Sequence, residues 1–446
     1  MTAPRSPYRA LQHRDFRRLW LAQLVSITGS QMQVVAINWH VYLLTRSPLA
    51  LGFVGLTRVL PIIVFSLWGG ILADRYDRRR VMFVTQTAMT LVATGLAALT
   101  FSGGETLWLI YALNALSAAA VAFDAPSRQA LVPRLVPASD LQGAITLNLT
   151  SFHVAMIGGP AVAGLLIAGR GMGILSAAPG QAPGGALSGT EGLGWIYALN
   201  ALSFLAVLFA LGTMKTSGKV EPGEHTDQHP LLALKTGLRF VFTTPLIVWT
   251  MTLDFFATFF SGAMSLLPIF ADQILRVGPR GYGLLVAAPG LGALAGSLFT
   301  SIRPLPARQG RVFLWAVGAY GLATVVFGFS RSYTLTLVAL AGTGLADLVS
   351  TVVRQTLRQL ATPDELRGRM TSVNMIFFMG GPQLGELEAG FVAWLFASVA
   401  VGATVSVVSG GAATIAVAAL VAGLSPRVRN YDISRHLGPG TGRTPG

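Results

Sequence analysis

Cysteine is absent from the 446 residues. That excludes disulfides, thiolate metal sites and cysteine nucleophiles. Charge is scarce: Asp, Glu, Lys and Arg make up 11% of the chain, against about 25% in an ordinary soluble domain. No Gly-x-x-x-x-Gly-Lys-Ser/Thr loop is present, so the chain has no phosphate cradle of its own. No His-Glu-x-x-His occurs, and the six histidines are scattered, which argues against an intramembrane hydrolase. The alternating polar and apolar pattern of an outer-membrane barrel is also missing. No metal and no cofactor is expected.

What is present is apolar sequence, 52% of the residues. A helix rises about 1.5 Å per residue, so about 20 apolar residues cross the hydrocarbon layer. Runs of that size recur near 19–44, 50–73, 81–101, 107–124, 141–169, 194–213, 246–272, 281–301, 312–330, 333–356, 370–398 and 400–424. The expectation is an all-α membrane protein with twelve spanning helices. The basic start leads into an apolar run too long for a signal core and without a cleavage site, so the first helix is expected to be an anchor.

The formal charge is +14. Its distribution points to topology rather than to nucleic acid. Counted by connection, 26 Lys and Arg fall on the side of the N-terminus and 5 on the other, with Arg58 inside a helix. The positive-inside rule then places both termini in the cytoplasm. The densest knot, Asp74, Arg75, Asp77, Arg78, Arg79 and Arg80, becomes a short cytoplasmic turn between helices 2 and 3.

Two segments resemble each other. "SRQALVPRLVPASDLQGAITLN" (127–148) and "VRQTLRQLATPDELRGRMTSVN" (353–374) share Arg128/Arg354, Gln129/Gln355, Leu131/Leu357, Pro137/Pro363 and Asn148/Asn374. Each is followed by Gly-Gly-Pro, at 158–160 and 380–382. One lies after helix 4 and one after helix 10, which is a six-helix parallel repeat of the kind that builds transporters. Ser139–Gln142 and Thr362–Glu365 read as capping boxes opening helices 5 and 11. The expected organisation is a six-helix bundle over 1–213 and a cytoplasmic linker over 214–245 with an amphipathic helix. A second bundle over 246–424 and a disordered tail over 425–446 follow.

With these residues in view, the chain resembles the major facilitator superfamily. The family's turn, roughly Gly-x-x-x-Asp-Arg-x-Gly-Arg-Arg, is matched by Gly70, Asp74, Arg75, Arg78 and Arg79, with Asp77 in the glycine place. That departure, and the Arg-Gln-x-Leu…Pro segment after helix 4, are similar to the bacterial branch of the enterobactin exporter and macrolide efflux proteins. The resemblance implies that the turn latches the cytoplasmic side. It also implies export, because Gly159, Pro160 and Gly164 partly match the Gly-Pro-x-x-Gly-Gly pattern of exporters in helix 5. Ala163 replaces one glycine there. The helix 4 arginine of many drug/proton antiporters is absent.

Ionisable residues inside spans are functional candidates, because each costs several kcal/mol to insert. Asp254 leads. Thr250, Asp254, Thr258, Ser261 and Ser265 form one polar stripe flanked by Phe255, Phe256, Phe259 and Phe260. Polar groups beside aromatics suit a bulky, partly apolar substrate. Arg58 in helix 2, Asp347 in helix 10 and Glu386 in helix 11 follow, with Glu388 on a different face from Glu386. Gln23, Ser30 and Gln33 in helix 1 are further cavity candidates. His40 and His153 read as packing or hydrogen-bonding residues, and Asp124 as part of the latch or a turn cap. Asp254 or Glu386 would carry a coupling proton, with Arg58 as modulator. The reading is a monomeric exporter of a siderophore or amphipathic drug in a bacterial cytoplasmic membrane, driven by proton antiport. Its partners are a small-molecule substrate, protons and membrane lipids, and no nucleic acid. An uptake symporter or facilitator for a small organic solute remains the alternative on the same fold.

Overall fold

In the computed structural model, the described residues are 7–169, 190–218, 239–260, 262–303, 305–362 and 367–432. They are helical throughout, with no strand among them. Residues 219–238 of the linker expected over 214–245, residues 433–446 of the tail expected over 425–446, and residues 363–365 of the second capping box lie outside them. The start of that tail is ordered, contrary to expectation: Pro426–Arg429 form a helical turn that buries Val428, and Tyr431 is buried beside it.

The helices are α1 (Arg14–Thr45), α2 (Pro48–Arg75), α3 (Arg78–Ser102), α4 (Leu107–Leu135), α5 (Leu141–Ile167) and α6 (Glu191–Thr213). After them come α7 (Pro245–Phe260), α8 (Gly278–Ile302), α9 (Gln309–Phe329), α10 (Tyr333–Ala361), α11 (Arg367–Trp394), α12 (Val399–Leu424) and the short α13 (Pro426–Arg429). A 3-10 turn (Ala263–Leu266), one helical turn (Leu267–Ile269) and a π turn (Phe270–Ile274) continue the path of α7. Local chemistry sets several ends. Asp77 caps α3 by accepting from the Arg79 amide at 2.9 Å, which explains an aspartate where the family turn has glycine. Ser47 caps α2 with Pro48 in the first position.

Ten helical stretches among the described residues are long and apolar enough to cross a membrane. Among the long helices, α1 and α11 fall outside that set. The first carries Gln23, Gln31, Gln33, Asn38 and His40, the second Gln383, Glu386 and Glu388, and these polar groups dilute the apolar run. Leu91, Leu202, Phe209, Leu298 and Trp315 are all largely exposed on helix surfaces. Water would penalise such faces, and hydrocarbon accepts them.

The chain packs as two units. The first comprises Met1–Asp227 with Leu267–Ala287, the second Gln228–Leu266 with Ala288–Gly446. In the first, α1 packs on α5 and α6, α3 on α4 and α6, and α2 on α4. In the second, α7 packs on α11, α9 on α10 and α12, and α8 on α10. The pairings correspond helix for helix after a shift of six, as the repeat predicts. One close approach also recurs in both units. A Cβ at Gly159 would lie 2.7 Å from Cβ of Gln31 and 2.9 Å from the Thr28 carbonyl on α1. One at Gly381 would meet Thr258 Oγ1 at 2.5 Å and the Phe255 carbonyl at 3.4 Å on α7. The two Gly-Gly-Pro segments therefore approach equivalent helices in each unit: a Cβ at Gly159 would strike the α1 backbone, and one at Gly381 would displace the Thr258 side chain.

The end of the first unit that carries the start of α1 closes over Phe16, Leu19, Met82, Leu131 and Leu211. Asp15 ties the chain after α6 to this end, accepting from the Lys215 amide (3.0 Å), the Thr216 amide (2.9 Å) and the Thr216 hydroxyl (2.7 Å). The expected capping box at Ser139 does not form. Ser139 lies in a 3-10 turn, and Asp140 bonds His13 Nε2 at 2.9 Å instead. A long-range partner outcompetes the local cap.

Burial raises the Asp15 carboxyl, yet the Thr216 and Lys215 hydrogen bonds outweigh it and hold the group below its ordinary value of 3.8. Its stabilisation is therefore full above the unfolded value and is lost as pH falls through the lowered folded value. Asp15→Asn is expected to cost about 1 kcal/mol at neutral pH. Thermal unfolding in detergent should show the gap to wild type narrowing below about pH 4.

Candidate transport site

The second unit concentrates ionisable groups where α7 meets α10. Asp254 is 8% exposed, in the middle of α7, and forms an ion pair with Arg354 of α10. Arg354 is 4% exposed. Its Nη2 donates to Thr351 Oγ1 at 2.7 Å and lies 4.0 Å from Asp347 Oδ1. One guanidinium thus stands between two carboxylates. Asp347 differs from Asp254 in exposure, with half of its side chain open. Asp347, Thr351, Arg354 and Arg358 recur at helical spacing and form one stripe of α10. Within a span such a stripe turns towards protein or water, because lipid cannot solvate it.

Aromatic rings adjoin the pair. Phe255 stacks on Phe259 with centroids 6.0 Å apart and meets Phe377 of α11 edge-on at 6.0 Å. Phe256 stacks on Phe260 at 5.9 Å. Thr258 spends its hydroxyl on the Asp254 and Phe255 carbonyls of its own helix. It sits where Gly381 of α11 passes. Ser265 is buried and donates to the Glu386 carbonyl at 3.5 Å, while Ser261 lies outside the described residues. Glu386 and Glu388 are both half-buried on α11.

The structure changes several expectations. Arg354 counted as a loop charge on the cytoplasmic side; α10 runs on to Ala361 and takes Arg354 and Arg358 inside, both buried. Asp254 therefore has a basic partner in its own unit. Gln33 is turned into the seam between α1 and α6, accepting from Asn200 Nδ2 at 2.7 Å and 6% exposed. Gln23 is equally buried, and Ser30 bonds the Ser26 carbonyl of its own helix. Asp124 neither caps a turn nor ends a helix. It lies inside α4, accepts from Thr85 and Gln86 of α3 at 3.0 Å each, and pairs with Arg128 at 3.7 Å. Arg128 and Arg354, equivalent in the repeat, both serve a buried carboxylate. Arg58 is half-buried on α2. His40 is fully buried and bonds Tyr197 Oη at 3.2 Å, while His153 is half-buried against Phe152.

At the charged turn, Arg79 donates to the Gly212 carbonyl at the end of α6 (3.1 Å), and the Arg78 amide to Gly218 (3.0 Å). Arg75 is exposed, and the Asp74 side chain and the surroundings of Gly70 lie outside the described residues. The helix 5 motif splits its work. Gly159 admits α1, and Gly164 admits α8, where a Cβ would stand 2.8 Å from Gly283 Cα. Pro160 sits between them, buried.

The sequence matches the family described as transmembrane secretion effector over residues 5–177 and 172–437. The chain belongs to this family of major facilitator transporters. It is 26% identical over 378 residues to the enterobactin exporters EntS of Shigella boydii serotype 18 and Escherichia coli O139:H28, with 85% of each chain covered. Among solved structures it is similar to a bacterial homolog of the human lysosomal transporter Spinster, at a TM-score of 0.71 and 14% identity, over 93% of this chain and 96% of that one. A bacterial homologue of the iron transporter ferroportin follows with a TM-score of 0.64 and 16% identity, over 91% and 98%. These likenesses show the fold. As a family member, the protein is a multi-pass membrane transporter and not an enzyme.

Removing one partner of a buried pair leaves the other charge uncompensated. Arg354→Gln is expected to cost about 3–5 kcal/mol. Combined with Asp254→Asn, the loss should shrink, because the buried Asp254 carboxylate is then no longer left without its arginine. Thermal stability of the three purified variants checks this, and a double variant as damaged as the sum of the singles would contradict it.

Proposed function

We propose that this transmembrane secretion effector is a secondary active exporter of a bulky, partly apolar small molecule, either a siderophore or an amphipathic drug. It works by alternating access in a bacterial cytoplasmic membrane, as a monomer, with protons moving the opposite way. In this reading α1 and α11 also cross the membrane. Their polar residues turn inward, giving twelve spans in two bundles with both termini cytoplasmic. The excess of basic residues in the connections on the N-terminal side supports that orientation. The printed names of the EntS relatives support export.

The observation that carries the mechanism is the buried Asp254–Arg354 pair beside half-open Asp347 and the phenylalanine cluster. A carboxylate that exchanges an arginine for a proton changes the charge of its surroundings without leaving its place. In the low-dielectric interior that change is large enough to bias two conformations. Asp254 holds the coupling role in this scheme, with Glu386 as second candidate. Phe255, Phe259 and Thr258 offer the substrate surface, and Arg58 is a contact for an anionic group. The Gly70–Arg79 turn, with Asp74 as acceptor, latches the cytoplasmic side. Gly159, Pro160 and Gly164 let α5 pack and bend.

Purified protein in sealed liposomes tests the proposal with a panel of siderophores and amphipathic drugs under an imposed pH gradient. Movement opposite to the protons is expected. Asp254→Asn should abolish the effect of the gradient while leaving substrate binding within about threefold of wild type. Transport indifferent to the gradient would remove proton coupling, and the carboxylates would then be contacts or structure.

A further inference from the structure

The segment Leu267–Ala287 packs with the first unit although its neighbours on both sides, up to Leu266 and from Ala288, belong to the second. Its attachment is polar and specific. Asp272, in the π turn, accepts from Tyr42 Oη at 2.5 Å and from Arg46 Nη1 at 2.6 Å. Arg46 Nη1 also donates to Tyr42 Oη at 2.9 Å, and its guanidinium carbon lies 4.6 Å from the Tyr42 ring centre. Gln273 Nε2 donates to the same hydroxyl at 3.2 Å. Below this cluster, Tyr282 stacks on Trp39 at 5.1 Å and its hydroxyl reaches the Val35 carbonyl at 3.4 Å. Gly283 meets Gly164 of α5.

A second observation is independent of these contacts. Among the described residues, Arg46 (φ 50°) and Arg276 (φ 54°) are the only non-glycine residues with positive φ. Arg46 closes α1 in the left-handed position that glycine normally fills. An arginine there costs about 1 kcal/mol or more in backbone strain. Glycine would relieve that strain and lose the side chain. The strain is offset by bonds that only this side chain makes.

We infer that Arg46, Tyr42 and Asp272 form a reversible clasp that fastens the segment 267–287 over α1 and seals the outer end of the first unit. The inference rests on the orientation and alternating access proposed above. The ion pair is half-exposed, with side chains 54% and 38% accessible. Exposed pairs are weak singly, which suits a fastening that must release in every cycle. The rings of Trp39 and Tyr282 and the Gly164–Gly283 contact form the dry layer beneath it. Release is expected to bare the Val35 stretch of α1 to the outer solution.

The cysteine-free chain makes the test direct. Val35→Cys places one buried thiol at the residue whose carbonyl meets the Tyr282 hydroxyl. It is labelled with a membrane-impermeant maleimide in right-side-out and inside-out vesicles. Arg46→Gln and Asp272→Asn are each expected to speed outside labelling about three- to tenfold. The charge-swapped pair, Arg46→Asp with Asp272→Arg, should return it towards the parent rate, which general damage to folding would not do. Single variants labelled no faster than the parent, or a swapped pair faster than both singles, would overturn the clasp. Labelling from inside-out vesicles alone would overturn the orientation. A protein that labels as expected but shows no gradient-driven export would leave the clasp standing and remove the antiport reading.

Discussion

Close approach of helix backbones is the constraint on which the rest of this structure depends. In hydrocarbon, apolar side chains gain little by leaving lipid, so helices associate through tight van der Waals contact and interhelical hydrogen bonds. Glycine sets where that is possible. Gly159 and Gly381 admit α1 and α7, and Gly164 and Gly283 admit each other. At each point a single methyl group would meet another helix within about 3 Å. The chain has 51 glycines, and those at the crossings decide which faces are left over to carry polar groups.

Those remaining faces hold the chemistry. Asp124 is buried among neutral donors and one arginine of its own helix. Asp254 is buried against an arginine of another helix, which a second carboxylate also approaches. The first arrangement joins α3 to α4. In the second, Arg354 lies within reach of two carboxylates, Asp254 and Asp347, with Arg358 one turn further along the same stripe. A repeated sequence thus yields one structural pair and one pair with an alternative partner, through the substitution of residues around a shared arginine position.

The long apolar helices, the repeat and the place of Asp254 inside one of them were legible because apolar length, charge placement and a lone carboxylate in an apolar run are local signals. Arg354 was not. A basic residue near the end of an apolar run looks the same whether it sets topology or enters the helix, and its partner is about a hundred residues away. The ends of α4 and α10 were missed for the same reason, since amphipathic turns carry both helices past their apolar runs. Gln33 looked like a cavity residue because its helix is polar on several sides, and only the position of Asn200 on α6 shows which side it serves. The Arg46–Asp272 clasp left no trace that pattern reading can find. Its members are ordinary loop residues until the fold brings them together.

The membership of residues 267–287 in the first unit bears on how the chain is made. A ribosome releases the six helices of the first half well before this segment emerges, and the linker with all of α7 must be synthesised in between. Until then Val35, Trp39 and the glycine face of α5 have no cover. The nascent first half is an unfinished body, and it is completed by material threaded through the second. Cutting the gene at the linker would therefore not yield two self-sufficient parts.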